Sequence, residues 1–534
     1  MNKQLHLLLL LALSVTLGLS AQNGADVILP KPQSVVMEQG HFNIPKTFTV
    51  SAPFNYNEAD QFSYEVKDLL GSTTVINHTS KDANLLLLTD SKSVTQKEGY
   101  RLTIQPNRIE IVGHDDAGVF YGVQSLLQLL YAAQETGTLQ AQVINDAPQF
   151  NWRAHLVDEG RYFKGEKEVY RILDEMAALK LNVLHWHLTE DAGWRVEIKK
   201  YPKLTEIGSK RKDTQVGGWS SDETSGEPHE GFYTQEDVKR ILRYAKQRHI
   251  RVMPEIEMPG HASAAIAAYP WLGSKDEEIE VPAKFGKHYP TFNVANPRVQ
   301  EFLKDVVDEI LELFETDVLH IGGDEVRFDH WEENDEINAL YKEKGFTSYM
   351  DVQIDFSNMM SRYIQSKGAR MMGWNEILGK ELHNDDNISF TDPSQKIADN
   401  VIVHFWKGDP AEIGRAAQGG YDIVNSYHVY TYMDYSYQSI PLSRSYSFEP
   451  IPANLPAEYH DKIIGIGCQM WSEWTPTTES FQTKTFPRIA AYAEVGWTPQ
   501  ELKDYDSFLK RLEYFTARWT RKGIIHTSIA DADQ

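Results

Sequence analysis

Cysteine is almost absent from this 534-residue chain, which contains only Cys468. A single thiol cannot form an intramolecular disulfide, so a disulfide-stapled scaffold is excluded and stability must come from a buried core. Cys468 lies within the apolar run 463–470, and this predicts a packed core residue rather than a nucleophile.

Positive charge is also scarce: the chain has 53 Lys and Arg residues against 76 Asp and Glu residues, which gives a formal net charge of -23. Such a surface repels phosphates and anionic lipids, so nucleic-acid and membrane-surface partners are set aside. No glycine-rich phosphate loop follows a strand, and no His, Cys and carboxylate cluster has clean zinc spacing. His185 and His187 share one strand face, but further ligands are not apparent, which favours packed histidines. We therefore predict no cofactor and no metal.

Long apolar runs are missing except at the N-terminus. Lys3 precedes an apolar run over 5–19 that ends in Ser20-Ala21-Gln22, the pattern of a secretory signal peptide. We predict that residues 1–21 are this peptide, with cleavage after Ala21 and a secreted or periplasmic protein. No cysteine lies near this position, so an N-terminal lipid anchor is not expected, and no later run is long enough to cross a bilayer.

Residues 22–148 predict a small α/β domain. Leu85–Leu88 has the pattern of a buried strand, and the segments 100–104 and 109–112 flank the turn residues Pro106-Asn107. Asp115 or Asp116 can cap a helix whose apolar face begins at Val119.

From residue 149 to residue 500, short apolar runs alternate with amphipathic helices. This alternation predicts a (β/α)8 barrel, with residues 501–534 as a helical extension packed on it. Irregular loops are expected after the fifth and seventh strands. The eight strand candidates are 155–157, 183–188, 250–256, 318–321, 370–373, 401–405, 422–424 and 463–466.

Reactive side chains follow these strand candidates. Because the active site of such a barrel lies at the C-terminal ends of its strands, we expect them to converge on one rim. Carboxylates and Arg can hold sugar hydroxyls, and indoles can pack against pyranose faces and acyl groups. The rim candidates are Asp158, Arg161, Glu190, Asp191, Glu257, His261, Asp324, Glu325, Trp374, Trp406, Tyr432, Asp434, Trp471 and Glu473.

The segment His320-Ile-Gly-Gly-Asp-Glu325 is the sharpest of these signals. Neighbouring residues of a regular strand point to opposite faces, so both acids can face one ligand only if the chain leaves strand geometry there. Gly322 and Gly323 permit that departure. The alternative interpretation is a glycine turn carrying two solvated acids.

Together with these residues, several motifs resemble the family 20 glycoside hydrolases, the β-N-acetylhexosaminidases. The similarity runs from about residue 98 to residue 497, and one position departs from the family pattern, since Glu190 stands where many members have Asp. The motifs are Asp158-Glu-Gly-Arg-Tyr-Phe163, Lys180-Leu-Asn-Val-Leu-His-Trp-His-Leu188, Pro259-Gly-His261, His320-Ile-Gly-Gly-Asp-Glu325, Gly373-Trp-Asn-Glu376 and Trp471-Ser-Glu473.

This resemblance implies exo-acting, substrate-assisted retention, an exception to the two-carboxylate scheme. Glu325 would be the acid and base, Asp324 would bind the acetamido N–H, and Tyr432 would position the acetamido oxygen. The other implied roles are an acetyl-methyl box of Trp374, Trp406 and Trp471, hydroxyl binding by Arg161, Asp434 and Glu473, and support by Glu190, Asp191, Glu257 and His261.

The expected partner is a glycan with a terminal β-linked N-acetylhexosamine. Three alternatives remain open: an enzyme of the lacto-N-biosidase type that releases a disaccharide, an inactive carbohydrate-binding relative, and a metal-dependent barrel hydrolase. The sequence leaves open the preference between gluco and galacto sugars, the natural glycan and the oligomeric state.

Overall fold

A computed structural model describes residues 27–77, 82–379 and 394–534. The predicted signal peptide lies outside these residues. Within them, no helix combines the length and the hydropathy that a membrane crossing needs.

The N-terminal part of the chain forms a seven-stranded mixed sheet in the order β1-β7-β5-β6-β4-β2-β3. The predicted hairpin is confirmed as the antiparallel pair β5 and β6, and Asp115 caps α2 by accepting a hydrogen bond from the Gly118 N–H. The elements are β1 Ser34–Asn43, β2 Thr47–Ser51, α1 Tyr56–Leu70, β3 Thr73–Asn77, β4 Leu85–Thr89, β5 Tyr100–Gln105, β6 Arg108–Gly113, α2 Asp116–Ala132 and β7 Thr138–Asp146.

Eight parallel strands then close into a barrel in the order β8-β9-β14-β15-β16-β17-β18-β19, so all eight strand predictions are confirmed. Strands β10 to β13 form two short antiparallel pairs, β10 with β11 and β12 with β13, in the segment after β9. The strands are β8 Trp152–Asp158, β9 Val183–His187, β10 Thr189–Glu190, β11 Gly193–Trp194, β12 Lys210–Arg211, β13 His229–Glu230, β14 Arg251–Glu255, β15 Val318–His320, β16 Arg370–Trp374, β17 Ile402–Phe405, β18 Asp422–Asn425 and β19 Ile463–Met470.

Helices surround this barrel, and their apolar faces pack on it. Thr234 and Asn296 are the capping residues of α5 Gln235–Lys246 and α7 Pro297–Phe314, since both side chains accept hydrogen bonds from the first turn of their helices. The helices are α3 Glu166–Ala178, α4 Lys203–Glu206, α5 Gln235–Lys246, α6 Ser263–Ala268, α7 Pro297–Phe314, α8 Asp329–Glu332, α9 Asp335–Lys344, α10 Tyr349–Ser366, α11 Ala411–Gln418, α12 His428–Thr431, α13 Leu442–Tyr446, α14 Thr478–Thr485, α15 Arg488–Trp497, α16 Tyr505–Arg521 and α17 Ile529–Ala532.

The two strand exits expected to be irregular carry only short elements where the structure describes them. Strand β16 runs into a 3-10 turn at Asn375–Leu378, and residues 380–393 lie outside the described part. After β18 come the short helices α12 and α13 and a 3-10 segment at Ala457–Lys462.

The C-terminal helix α16 contacts both parts of the chain. Arg511 pairs with Glu494 of α15, while Arg518 pairs with Glu175 of α3 and Glu65 of α1. All these side chains are at least largely buried, so the helix closes the junction between the sheet and the barrel.

The barrel interior is filled in layers by side chains that point inward from alternate strand positions. An apolar layer that includes Val183, Met253 and Met372 fills the N-terminal end. Above it lies a polar layer of His185, His320, His404 and Glu255, which are all fully buried or nearly so. The C-terminal rim, which carries the candidate site, rests on this polar layer.

Candidate active site

The backbone turns sharply after β15, as the paired glycines predict. Gly322 and Gly323 have φ angles of 66° and 84°, and Glu325 has a φ of 51°. A Cβ on Gly322 would lie 1.7 Å from Oε2 of Glu257, so the close approach of that carboxylate also requires glycine. Strand geometry therefore ends here, and Asp324 and Glu325 are brought to the same side.

Both acids of this turn lie beside the same histidine. Nε2 of His261 is 3.8 Å from Oδ2 of Asp324 and 3.6 Å from Oε2 of Glu325. Burial raises the pKa of Asp324 to about 7; His261 opposes this shift and the charge of Glu325 adds to it. Oδ1 of Asp324 is buried without a hydrogen-bond partner among the described residues, so it can accept one from a ligand.

His261 is held from its other side by two carboxylates. Its Nδ1 lies 2.8 Å from Oε1 of Glu190 and 3.0 Å from Oδ2 of Asp191. Burial alone would lower the pKa of His261, but these acids raise it well above the ordinary value. Asp191 is anchored in turn by the Ser263 N–H at 2.9 Å. A charged imidazolium therefore faces the acid pair.

Arg161 forms ion pairs with a second group of carboxylates at the rim. Its Nη2 lies 3.1 Å from Glu190 and 3.8 Å from Glu473, and its Nη1 lies 3.4 Å from Asp158. Burial would raise the pKa of Glu190, but Arg161 and His261 lower it well below the ordinary value. Glu190, the position that departs from the family pattern, thus joins the arginine to the histidine.

Three indoles and one phenol form a wall beside the acids. The Trp374 ring lies 5.8 Å from that of Trp471 and 6.5 Å from that of Trp406. The Tyr432 ring stacks on Trp406 at 5.9 Å with only 7° between the planes. Burial raises the pKa of Tyr432 well above its ordinary value, and the nearby charge of Asp324 acts in the same direction. The wall can therefore enclose a small apolar group next to a neutral hydroxyl.

Asp434 lies at the end of this wall nearest to Glu473. Burial and the charge of Glu473 raise its pKa to about 8, and Lys484 opposes the shift. Its Oδ1 atom is buried without a partner within the described chain. Both features suit a carboxyl that is completed by a ligand hydroxyl.

The remaining predicted support residue, Glu257, lies under the glycine turn. Burial and the charges of Asp324 and Glu255 raise its pKa well above the ordinary value. Its backbone N–H donates to the Thr189 hydroxyl at 2.8 Å. The structure thus brings all fourteen rim candidates to one end of the barrel, in contacts that link the acids to the indole wall.

Sequence reasoning gave no role to three polar residues of this site: Glu255, Glu376, which it named only within a family motif, and Tyr435. Glu376 accepts the Trp406 indole N–H at 2.9 Å, and Asp324 is close enough to add to the rise that burial causes in the Glu376 pKa. Burial, then Asp434, Glu473 and Glu325, raise the pKa of Tyr435 to about 12. Glu376 could have been found, because it comes two residues after the strand-end residue Trp374.

Glu255 lies in the barrel interior and orders the layer under the site. Its carboxylate accepts the Trp374 indole N–H at 2.8 Å and the His187 Nδ1 at 2.6 Å. Nε2 of His185 and Nδ1 of His320 each lie 2.8 Å from its oxygens. Burial lowers the pKa of His187, but Glu255 and Glu190 raise it to about 10. A charged carboxylate–imidazolium pair therefore fixes the orientation of Trp374.

Potential metal ligands come closer together than the sequence suggested. The ligand atoms of His185, Glu255 and His320 lie within 4.8 Å of one another, and so do those of His261, Asp324 and Glu325. The sequence did not reveal these groups, because their members come from different strands and loops that meet only in the folded barrel. In the first group, however, Trp374 and His187 already donate to both oxygens of Glu255. Hydrogen bonding accounts for this group, and the absence of a metal stays a prediction.

We expect the Glu255→Gln variant to lower kcat/KM on an N-acetyl substrate by up to about a hundredfold. An amide cannot accept both the indole N–H and the His187 proton at full strength, so Trp374 loses its fixed orientation. The measurement is steady-state kinetics with substrates that carry acetyl and longer acyl groups, because a loosened wall should also weaken selection among acyl groups.

Glu175 provides the matched control for this variant. Its buried carboxylate accepts the Trp519 indole N–H at 2.8 Å and pairs with Arg518, so it lies in the contact between α3 and α16 rather than at the strand ends of the rim. Glu175→Gln should lower thermal stability without changing acyl selectivity. Equal selectivity changes in both variants would show that Glu255 has only a general structural role.

The chain forms a closed (β/α)8 barrel, and its C-terminal rim carries an acid pair, an arginine–carboxylate cluster and an indole wall. This combination places the protein in the class of glycoside hydrolases. Within that class, the chain belongs to glycosyl hydrolase family 20. The family's catalytic-domain model matches residues 150–500, and its domain 2 model matches residues 26–147. The family resemblance and the fold prediction are thereby confirmed.

Two relatives named beta-hexosaminidase illustrate the similarity. The protein of Porphyromonas gingivalis is 34% identical over 454 residues, which make up 82% of this chain and 55% of that protein. The protein of Vibrio furnissii is 30% identical over 487 residues, 88% of this chain and 76% of that protein. The chain thus spans little more than half of the first relative.

Solved structures agree with the fold. A Vibrio harveyi exo beta-N-acetylglucosaminidase, solved in complex with N-acetylglucosamine, has a TM-score of 0.82 at 27% identity, covering 95% of this chain and 79% of that one. A beta-N-acetylhexosaminidase from Bacteroides fragilis has a TM-score of 0.79 at 26% identity, covering 95% and 99%. The two-part architecture described above is therefore shared with these proteins.

Proposed function

We propose that this protein is an exo-acting, retaining β-N-acetylhexosaminidase that removes terminal, non-reducing, β-linked N-acetylhexosamine residues. The observation that carries the proposal is the position of the Asp324–Glu325 pair beside the wall of Trp374, Trp406, Trp471 and Tyr432. An acid pair next to an acyl-sized apolar niche fits a substrate that supplies its own acetamido nucleophile.

In this mechanism Glu325 donates a proton to the glycosidic oxygen as the bond to the anomeric carbon breaks. The acetamido oxygen of the same sugar attacks that carbon and forms an oxazolinium intermediate. Asp324 accepts the acetamido N–H and balances the positive charge that develops. Tyr432 donates a hydrogen bond to the acetamido oxygen and keeps it in line for attack.

The second half of the reaction uses the same groups in reverse. Glu325, now a carboxylate, removes a proton from water as the water attacks the anomeric carbon. The oxazolinium ring opens, and the sugar leaves with its original anomeric configuration. His261 lies within 4 Å of both acids, so its positive charge favours their ionised forms in this step.

The ring hydroxyls of the terminal sugar would bind at the Arg161 cluster. Arg161 offers N–H donors, while Glu473 and Asp434 offer carboxyl oxygens, and Oδ1 of Asp434 has no partner among the described residues. We propose that these residues close the pocket behind the terminal sugar. This arrangement favours release of a monosaccharide over release of a disaccharide.

Product analysis tests the proposal directly. We expect an N-acetylglucosamine trimer labelled at its reducing end to yield unlabelled monosaccharide and labelled dimer first. Proton NMR of the fresh product should show the β anomer before mutarotation. Initial release of a disaccharide would contradict the exo pocket, the α anomer would contradict retention, and no cleavage would favour an inactive carbohydrate-binding relative.

We also propose that the protein is exported to the periplasm or beyond. Lys3, the apolar run that follows it and the small residues at Ser20-Ala21 support this proposal. A substrate class found in cell walls and extracellular glycans is consistent with such a location.

A further inference from the structure

Three aromatic side chains form a second group outside the buried wall. We call Trp219, Phe285 and Trp474 the outer platform. The Trp474 ring lies 5.2 Å from that of Trp219 and 5.6 Å from that of Phe285, both in edge-to-face contact. Of the tryptophans in the described part of the chain, Trp219 alone is exposed, with 61% of its surface accessible. Its indole thus offers a large apolar face to solvent.

Trp219 and Phe285 lie on separate loops, and hydrogen bonds connect these loops. Gln215 is buried and joins the loops: its Oε1 accepts the Phe285 N–H at 3.0 Å, and its Nε2 donates to the Ser221 carbonyl at 2.8 Å. The Gln215 N–H donates to the Ala283 carbonyl at 2.8 Å. These bonds join the two loops that carry Trp219 and Phe285.

The platform is continuous with the candidate active site at two points. Trp474 directly follows Glu473, and Tyr162 directly follows Arg161. The Tyr162 ring lies 5.9 Å from that of Phe285, and the Arg211 guanidinium lies over both rings at 5.1 and 5.6 Å. The exposed indole therefore stands at the edge of the pocket rather than at a distant surface.

We infer that the outer platform binds the sugar on the leaving-group side of the scissile bond. The inference rests on the proposed exo function: if the buried rim takes the terminal sugar, the rest of the glycan must stay outside the pocket. A pyranose ring has an apolar face that suits a flat, exposed indole. The platform would thus select glycans with a second pyranose over those with a small aglycone.

The Trp219→Ala variant tests this inference with two substrates. The first is an N-acetylglucosamine dimer, and the second is methyl N-acetyl-β-glucosaminide, whose leaving group is too small to reach the platform. We expect kcat/KM on the dimer to fall about fivefold to tenfold, mainly through KM, since one stacking contact is lost. The value for the methyl glycoside should not change.

Two further variants make the result decisive. Trp219→Phe keeps an aromatic face and should retain most activity on the dimer. Phe54→Ala removes an aromatic residue that is 85% exposed on the N-terminal part and should affect neither substrate. Equal losses of kcat/KM on both substrates, or an unchanged kcat/KM on the dimer in Trp219→Ala, would overturn the inference that the outer platform binds this sugar. If the unaltered protein cleaves neither substrate, the proposed function fails instead.

Discussion

Glu325→Gln should lower turnover by about two to four orders of magnitude on substrates with a poor, alkyl-like leaving group. The amide cannot donate a proton of comparable acidity, so the departing alkoxide receives no proton as the bond breaks. The side chain keeps nearly the same shape, and the left-handed backbone at Glu325 can accept Gln as it accepts Glu. The loss should therefore come from chemistry rather than from folding.

The dependence on the leaving group makes this prediction specific. With an aryl leaving group that is stable as an anion, protonation matters less, and the deficit in the first step should shrink. Steady-state kinetics across a series of aryl glycosides measures this, because the slope against leaving-group pKa should steepen in the variant.

Glu333→Gln is the matched control for that experiment. Glu333 is an exposed carboxylate eight residues further along, paired with Lys275 at 2.8 Å. Its loss should leave every rate unchanged. If Glu325→Gln retained full activity on alkyl glycosides, Glu325 would lose its assignment as the proton donor, and another carboxyl of the rim, such as Glu376, would have to be tested.

The second large effect concerns the substrate rather than the protein. An aryl N-acetyl-β-glucosaminide should be cleaved at least roughly a thousand times faster than the matching aryl β-glucoside, because only the first carries an internal nucleophile. The wall of Trp374, Trp406 and Trp471 can hold the acetamido group folded toward the anomeric carbon. The glucoside offers nothing to that niche.

Fluorination of the acetyl group provides the internal control for this comparison. Each fluorine withdraws electrons from the acetamido oxygen and should slow the reaction progressively, although the group still fits the niche. An enzyme carboxylate acting as nucleophile would respond little to the same change. Equal rates on the acetamido and hydroxyl substrates would end the substrate-assisted proposal.

The eight barrel strands could be located from the sequence for a simple reason. Parallel strands covered on both faces read as short, continuous apolar runs, and runs such as those at 250–256 and 401–405 stand out between helical segments. The helices α5 and α7 were also marked by their capping residues, Thr234 and Asn296. Local patterns of this kind depend only on neighbours in the chain.

The residues of the rim could be predicted because the barrel rule converts sequence position into spatial position. Any polar residue just after a strand must reach the same end, whichever strand precedes it. This rule did not identify Glu255, because Glu255 still belongs to β14. A carboxylate inside a barrel cannot be predicted until the groups that pair with it are known. Trp219 escaped the rule because it lies deep in a long loop, where chain position predicts little.

The pattern of residues alone therefore determined the barrel and the preceding α/β domain, and it predicted the rim and the acids to which we assign the chemistry. Packing settled what no local pattern encodes: that Glu190 joins Arg161 to His261, that Glu255 orients Trp374, and that Trp219 stands at the pocket edge. Short stretches of chain determine the hydrophobic periodicity and the order in which strands and helices follow one another. Hydrogen bonds and ring contacts between residues a hundred or more positions apart exist only once the barrel has closed.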